Sequence, residues 1–239
     1  VLENEGGLDL ASTATLLAGH SLGEYAALAA ARSLGIAQTA KLLRLRGQAM
    51  QKAVPAGEGG MAALIGATLE QAEEICAQAS KTALVEIAND NGGGQIVLSG
   101  KMAGIDAAIA LAKEMKIKRA VKLPVSAPFH SSLMKPAEAI MAEALEQASI
   151  AAPIVPVIAN VTAQRETDAD TIRKNLVQQV TGRVRWEESV RAMVEMGVDS
   201  FVEIGAGKVL AGLVRRITPD VTTTSVGTPD EIESFLKSL

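Results

Sequence analysis

The segment at residues 19–31, GHSLGEYAALAAA, places a serine between two glycines and directly before a stretch rich in alanine. Gly19, Ser21 and Gly23 satisfy the GxSxG pattern of a nucleophile elbow, in which small flanking residues let the backbone turn sharply and leave the serine hydroxyl exposed. The N–H groups of a helix that begins there, including that of Leu22, would point toward an oxyanion formed at the serine. An ordinary Gly-Ser turn is the alternative. We therefore treat Ser21 as a candidate nucleophile.

A serine hydroxyl is a poor nucleophile unless a base takes its proton, and the chain offers two histidines. His20 adjoins Ser21, and because neighbouring side chains on extended backbone point to opposite sides, we expect it to orient or pack. His130 lies in LPVSAPFHSSLM, a proline-containing loop that leads into a helix. Loops on a rigid scaffold commonly carry catalytic groups, whereas the alternative is a residue that merely begins the helix. The pattern favours His130 as the base for Ser21.

One charged residue, Arg46, falls on the apolar side of a helix predicted at residues 37–53. At about 100° per residue, it lies about 170° from the polar face of that helix. The polar face is formed by Lys41, Arg44, Gln48, Gln51 and Lys52, and the neighbours of Arg46 are Leu42, Leu43, Ala49, Met50 and Ala53. A buried guanidinium needs an anionic partner, and its planar fork suits a carboxylate. No Asp or Glu occurs at residues 37–56, so the partner is either a remote acid in a structural ion pair or a ligand.

Four weaker signals remain. Asn91 lies in NDNGGG, which predicts a hairpin turn and also places this side chain where it could border a site. Gln179 shares a helical face with apolar residues and therefore points inward, most simply as a core or capping residue. The glycine segment at 204–210, IGAGKVL, resembles a phosphate loop only superficially, because the residues that such a loop requires on both sides are absent. Cys76 is expected to be an inert small hydrophobe.

Composition limits the classes of partner and compartment. The chain has 239 residues, 48% of them hydrophobic, which is enough for a large core. Acidic residues outnumber basic ones by 27 to 23 without a Lys/Arg block, so neither nucleic acid nor an anionic membrane is a favoured partner. No apolar run reaches the roughly 18 residues of a membrane span. A single cysteine excludes an internal disulfide, and two histidines disfavour a zinc site. We expect a cytoplasmic enzyme of the α/β class.

The order of the predicted elements separates the chain into two parts. Strands are predicted at 13–18, 61–65, 83–88, 95–99, 118–123, 154–159 and 200–204, and helices at 24–32, 37–53, 69–80, 105–115, 134–148, 171–180, 186–196 and 229–239. From 61 to 123 the order is βαββαβ, the ferredoxin-like signature, and α/β alternation resumes afterwards. The sequence therefore predicts an α/β fold. An α/β-hydrolase-like core with a parallel sheet, residues 1–56 and 124–239, would carry an inserted ferredoxin-like subdomain, residues 57–123.

Six segments together resemble one enzyme family. They are GHSLGEY, LLRLRGQAM, NDNGGGQIVLSG, VSAPFHSSLM, LVQQVTGRVRW and EIGAGKVLAGLVRRI. In this order they resemble the malonyl-CoA:acyl carrier protein transacylases of bacterial fatty-acid synthesis and the related acyltransferase domains of polyketide synthases. The likeness covers essentially the whole chain. Six motifs in the family's order are far more specific than GxSxG alone.

The resemblance implies a ping-pong acyl transfer. Ser21 would attack the thioester of malonyl-CoA with His130 as base, and the phosphopantetheine thiol of acyl carrier protein would then take the malonyl group from the serine. Arg46 would hold the malonyl carboxylate. Main-chain carbonyls near Gln179, in place of an aspartate, would orient His130. Asn91 and Gln179 are further candidates for substrate binding.

The resemblance also bears on the acyl group and on the partners. Phe129 and Leu22 match the malonyl-type pattern, in which extra bulk beside the α-carbon excludes a methyl branch. No permanently bound cofactor and no metal are expected. The implied partners are malonyl-CoA and acyl carrier protein, and the expected form is a monomer.

One departure and two rival functions complete the sequence-based expectations. Relatives begin with a strand and a GlnGlyGln-type loop that supplies a second oxyanion-hole donor, whereas the first glutamine here is Gln38. The sequence is therefore expected to lack an N-terminal segment of the family, with a loss of activity. An α/β-hydrolase-type esterase would need an acidic triad member, for which Asp90 and Asp106 are candidates. A non-enzymatic docking module for acyl carrier protein would need a basic surface, for which the candidates are Lys113, Lys116, Lys118 and Arg119.

Overall fold

The computed structural model describes residues 1–238. The helices of this range are α1 (Leu10–Thr13), α2 (Leu22–Ala30), α3 (Ile36–Lys52), α4 (Leu69–Ala79), α5 (Met102–Glu114), α6 (Lys135–Glu146), α7 (Ala169–Gln178), α8 (Trp186–Glu195), α9 (Val209–Ile217) and α10 (Pro229–Leu236). The strands are β1 (Gly59–Ile65), β2 (Val85–Asp90), β3 (Gln95–Lys101), β4 (Arg119–Lys122), β5 (Val157–Ile158), β6 (Arg165–Glu166), β7 (Val184–Arg185), β8 (Ser200–Ile204) and β9 (Thr222–Val226). Leu239, the last residue of the helix predicted at 229–239, lies outside the described residues.

Strands β1 to β4 form an antiparallel sheet in the order β4-β1-β3-β2. Successive side chains of a strand point to opposite faces, and the two faces of this sheet have different neighbours. On one face Leu64 packs against α4 and α5 in a cluster that includes Ile75. On the other face Met61 belongs to a small cluster that packs against Phe129. The predicted βαββαβ order is confirmed, and the sheet anchors the residue directly before His130.

The β2–β3 hairpin predicted from NDNGGG is confirmed. The Asn91 N–H donates to the carbonyl of Gln95 at 3.0 Å. Gly92 has φ 76°, and an added Cβ would lie 2.3 Å from a side-chain carbon of Ile217 in α9. Any side chain at Gly92 would therefore be both strained and crowded. Strand β7 extends the same sheet, because it pairs in parallel with the end of β2.

The strand predicted at 13–18 is wrong except at one residue. Thr13 ends α1 instead, because its hydroxyl donates to the carbonyl of Asp9 at 2.7 Å and helps to close a helical turn. Leu17 alone makes an isolated parallel bridge, with Val157. The strand predicted at 154–159 is likewise reduced to β5, since Pro156 has no N–H to donate to a ladder. Its carbonyl accepts from the Leu17 N–H at 2.9 Å, just before the elbow.

The remaining elements form the layer that carries the elbow. Strands β8 and β9 pair in parallel, and β5 pairs antiparallel with β6. Helices α2, α3 and α6 meet in a core that contains Leu28, Met50 and Met141. This core contains residues that precede β1 in the sequence and residues that follow β4. The division into a core of 1–56 and 124–239 and a subdomain of 57–123 stays a prediction.

Candidate active site

The elbow places Ser21 at a strained position directly before α2. Ser21 has φ 53° and ψ −105°, in a region where non-glycine residues are rare, and such strain is characteristic of functional turns. An added Cβ on Gly19 would lie 2.0 Å from the backbone of Gly23, so only glycine fits there. A Cβ on Gly23 would meet nothing within 4 Å. Gly19 is thus required by the close approach of the backbone, whereas Gly23 is not.

His130 lies beside the serine in a fixed orientation. Its Nε2 is 2.7 Å from the Ser21 Oγ. Its Nδ1 lies 2.9 Å from the main-chain carbonyl of Gln179 and 3.2 Å from that of Gly182. Because carbonyls only accept hydrogen bonds, the proton is on Nδ1, and Nε2 is free to accept the hydroxyl proton of Ser21.

The two aspartates that an esterase triad would use do not contact His130. The carboxylate of Asp90 accepts a hydrogen bond from the Gly92 N–H, and that of Asp106 forms an ion pair with Lys122. The site therefore consists of a serine–histidine pair oriented by backbone carbonyls. The esterase hypothesis loses the acid on which it depended.

Burial controls the protonation of His130. The residue is buried, and desolvation lowers its pKa to about 3, with the positive charge of Arg46 as the next cause. The imidazole is consequently neutral at physiological pH, which is the form that can accept a proton.

Arg46 points from α3 into the same site. Its residue is 6% exposed, and its Nη2 donates to the Ser21 Oγ at 3.1 Å and to the Gln179 Oε1 at 2.9 Å. The guanidinium also lies 5.8 Å from the ring centre of Tyr25. Its Nε has no hydrogen-bond partner. No carboxylate in residues 1–238 comes within 4.0 Å of it, so the structural ion pair that the sequence left open is not formed.

Asn160 is a site residue that the sequence analysis missed. It follows β5, and its side-chain amide spans the elbow: Oδ1 accepts from the Ser21 N–H at 2.7 Å, and Nδ2 donates to the Gly19 carbonyl at 2.8 Å. Both sides of the strained turn are thereby fixed. The signal in the sequence was a polar residue directly after an apolar strand, since ligands commonly bind at the carboxyl ends of strands in α/β folds.

Glu24 is the second residue that was missed. It lies in the first turn of α2 and is 3% exposed. Its Oε2 accepts from the Gln179 Nε2 at 2.7 Å and from the Asn160 N–H at 3.1 Å. Desolvation raises the pKa of this carboxyl to about 7, against the smaller opposing effect of the Gln179 hydrogen bond. The signal was a lone acid within an otherwise apolar, alanine-rich helix.

Three other predicted site residues take separate positions. Leu22 begins α2 and is 57% exposed. Phe129 is half-buried and packs against two clusters, the core that contains Leu28 and the small cluster that contains Met61. Asn91 is buried, and its Oδ1 lies 2.8 Å from the His20 Nε2. The substrate-binding roles of these three residues, and that of Gln179, stay predictions.

His20 and Cys76 have the surroundings expected of packing residues. The His20 ring lies 5.6 Å from that of Trp186, in a tilted arrangement. Burial lowers the pKa of His20. Cys76 is buried in the cluster under α4 and α5, where burial raises the pKa of its thiol to about 12. Neither side chain forms a hydrogen bond with Ser21 or His130.

Two further properties concern the whole described range. No helix within residues 1–238 has the length and apolar character needed to cross a membrane. In the same residues, no group of three or more His, Cys, Asp or Glu side chains could hold a metal ion.

Comparison with known proteins places this geometry in a family. Residues 7–230 match the acyl transferase domain. The malonyl CoA-acyl carrier protein transacylase of Bacillus subtilis is 44% identical over 228 residues, which are 95% of this chain and 72% of that protein. The acyl-carrier-protein S-malonyltransferase of Bartonella henselae is 52% identical, with a TM-score of 0.95 over 97% of this chain and 74% of that one.

A third similar structure includes a protein partner. It is a malonyl-transacylase in complex with a type II polyketide-synthase acyl-carrier protein, and it is 37% identical, with a TM-score of 0.95 over 100% of this chain and 76% of that one. The predicted fold class is confirmed by these neighbours. From the elbow, the histidine and the family match together, it follows that the chain belongs to the acyl transferase domain family.

Proposed function

We propose that the chain transfers the malonyl group from malonyl-CoA to the phosphopantetheine thiol of acyl carrier protein, by a ping-pong mechanism through a malonyl-serine. The observation that carries the proposal is the meeting of three side chains. The Ser21 Oγ lies 2.7 Å from the His130 Nε2 and 3.1 Å from the Arg46 Nη2. A nucleophile with its base thus lies next to a buried cation that a carboxylate on the acyl group can complete.

In the first half-reaction the Ser21 Oγ attacks the thioester carbonyl while the His130 Nε2 takes the hydroxyl proton. The C–O bond to serine forms, and the tetrahedral oxyanion receives a hydrogen bond from the Leu22 N–H, which as the first N–H of α2 has no acceptor within the helix. The C–S bond then breaks, and the imidazolium gives its proton to the leaving coenzyme A thiolate.

In the second half-reaction the same groups act on the other thiol. The phosphopantetheine thiol attacks the malonyl-serine ester while His130 takes the thiol proton. When the C–O bond to serine breaks, that proton returns to the Ser21 Oγ. The carbonyls of Gln179 and Gly182 hold the Nδ1–H throughout, so the imidazolium remains oriented in both halves.

The acyl carboxylate has a second effect on the base. The positive charge of Arg46 is one of the causes that lower the pKa of His130. A malonyl carboxylate beside Arg46 offsets this charge and raises the pKa of His130, so a charged acyl group makes the base stronger. Acetyl groups lack this effect as well as the ion pair. Bulk at Phe129 and Leu22 would disfavour a methyl branch by about 1 to 3 kcal/mol.

The names of the relatives support the partners of this reaction. The similar enzymes are malonyl transacylases of acyl carrier protein, and one was solved with such a carrier. We further propose that the chain acts as a monomer in the cytoplasm and without a permanently bound cofactor. The single cysteine supports a reducing compartment such as the cytoplasm, and sedimentation of the purified chain tests the monomer.

Intact-mass measurement after mixing with malonyl-CoA tests the reaction. The expected result is a mass increase of one malonyl group that disappears when acyl carrier protein in its phosphopantetheine form is added. Ser21→Ala should form no adduct, and Ser12→Ala, at an exposed serine in α1, is the matched control that should still form it. A folded wild-type chain that forms no adduct would contradict the proposal.

A further inference from the structure

A buried polar cluster lies beneath the Ser21–His130–Arg46 site, and the side chains of its members have no part in the mechanism above. Its members are Glu24, Gln179 and Asn160, each at most 3% exposed. The Gln179 Nε2 donates to the Glu24 Oε2 at 2.7 Å and to the Ser21 carbonyl at 3.0 Å. A carboxyl in such surroundings is expensive to keep, so a function that needs it is worth seeking.

The contacts of Gln179 define which way its amide faces. Its Oε1 accepts from the Arg46 Nη2 at 2.9 Å, while its Nε2 faces acceptors only. If the amide were reversed, its oxygen would face the Glu24 oxygen at the shortest of these distances, and its NH₂ would face the guanidinium donor. Both contacts would then be repulsive. The Glu24 carboxyl therefore holds the amide oxygen toward Arg46.

We propose that Glu24 is a positioning residue for acyl selection: through the Gln179 amide, it holds the Arg46 guanidinium in the orientation that receives the acyl carboxylate. The inference rests on the proposed function, because it assigns Arg46 to the malonyl group. Glu24 lies on α2, Arg46 on α3 and Gln179 at the end of α7. The chain of contacts thus ties together three helices around one cation.

The acceptor oxygen, and not the negative charge, carries this role. The same Glu24 oxygen, Oε2, accepts from both Gln179 and Asn160. A proton on the other oxygen leaves both bonds intact, and so does an amide that presents its oxygen to the two donors. Glu24→Gln is therefore expected to preserve the orientation of Gln179, whereas Glu24→Met, of similar size, removes the acceptor.

The experiment compares a charged and an uncharged acyl donor. The rate of adduct formation with malonyl-CoA reports the Arg46 site, and release of nitrophenolate from p-nitrophenyl acetate reports the Ser21–His130 pair with no acyl carboxylate for Arg46 to bind. For Glu24→Met we expect a loss of about 10- to 100-fold with malonyl-CoA, the size typical of a displaced positioning group, and a change below about threefold with the ester. Glu24→Gln should remain within about threefold of the wild type with both.

Controls separate this role from a purely structural one. Glu203→Gln removes an acid outside the site whose carboxylate accepts from the Leu210 and Ala211 N–H groups, and it should change neither rate. Gln179→Met should reproduce Glu24→Met, and the double variant should be no worse than the stronger single one, because both act through the same contact. If Glu24→Met does not fold, Glu24→Asp, which withdraws the oxygen but keeps an acceptor, should show the same malonyl-selective loss.

Two results would overturn the inference. One is an equal loss of both rates in Glu24→Met or Glu24→Asp, and the other is an unchanged malonyl rate in both. A wild type that forms no malonyl adduct but still cleaves the ester would instead contradict the proposed function. The two failures are thereby distinguishable.

Discussion

At the scale of single residues, the site is organised around a cation whose acceptors are all neutral. Arg46 donates to a hydroxyl and to an amide oxygen, and its Nε is left without a partner. Burial lowers the pKa of this guanidinium, which shows that its surroundings disfavour its charge. A carboxylate from the acyl group is the natural complement, and under the proposed function acyl selectivity would depend largely on this one side chain.

Arg46→Ala should slow the reaction with malonyl-CoA and thereby remove the preference for a charged acyl group. Truncation of one partner of a buried charge pair costs several kcal/mol, so we expect the rate with malonyl-CoA to fall about 100-fold or more. Cleavage of p-nitrophenyl acetate should be retained, because the Ser21 Oγ contacts the His130 Nε2 directly and the acetyl group has no carboxylate for Arg46 to bind. Arg46→Lys keeps a charge without the planar fork, so its rate with malonyl-CoA should lie between those of the wild type and Arg46→Ala. A fall of equal size with both donors would return Arg46 to a structural role.

At the scale of elements, the elbow depends on the helix backbone approaching the preceding segment. Gly19→Ala would place a Cβ 2.0 Å from the backbone of Gly23, and we expect it to lower the free energy of unfolding by about 1 to 3 kcal/mol or more. Gly23→Ala, the matched variant, meets nothing within 4 Å and gains helix propensity, so it should raise the free energy of unfolding by up to about 1 kcal/mol. Urea denaturation of both variants measures the difference. Equal effects would show that the two glycines are equivalent.

Elements with a strong local pattern were predictable from the sequence. Helix α3 and strands β1 to β3 were predicted within a few residues, because their apolar residues follow the period of a helix or a strand and their ends carry glycine, proline or capping residues. Strand 13–18 was wrong because Asp9 closes a helical turn there. Helix α9 and strand β9 were not predicted, because α9 has only nine residues and four of the five residues of β9 are threonine or serine, which gives no apolar alternation.

The site was predictable only where one residue broke a local pattern. Ser21 and Arg46 stood out against their own neighbours, and His130 was one of two histidines. Asn160 and Glu24 act on each other across 136 positions of the chain, and their meeting is decided by packing that no short window contains. The same is true of the Gln179 side chain, whose inward direction was predicted but whose hydrogen-bond partners were not.

At the scale of the whole molecule, two buried titratable groups should give stability opposite dependences on pH. His130 has a pKa of about 3 in the folded chain and about 6.5 when unfolded. The unfolded chain therefore binds the extra proton between these values, so this group lowers stability as the pH falls. Glu24 has a pKa of about 7 when folded, against 4.5 ordinarily. Here the folded chain binds the extra proton between these values, so this group lowers stability as the pH rises.

The two contributions overlap between about pH 4.5 and 6.5 and oppose each other there, each with a slope of up to about 1.4 kcal/mol per pH unit. Removal of either group should therefore change the slope of the free energy of unfolding against pH, in a direction that depends on which group is removed. Glu24→Gln should lose stability more steeply than the wild type as the pH falls through this window, because the opposing contribution of Glu24 is then absent. His130→Gln should shift the curve the other way, so that stability rises less with pH than in the wild type or falls as the pH rises. Urea denaturation from pH 4.5 to 7.5 measures both, with Ser21→Ala, which removes no titratable side chain from this window, as the reference. Curves that remain parallel to the wild type in both variants would mean that these two groups do not titrate as their burial requires.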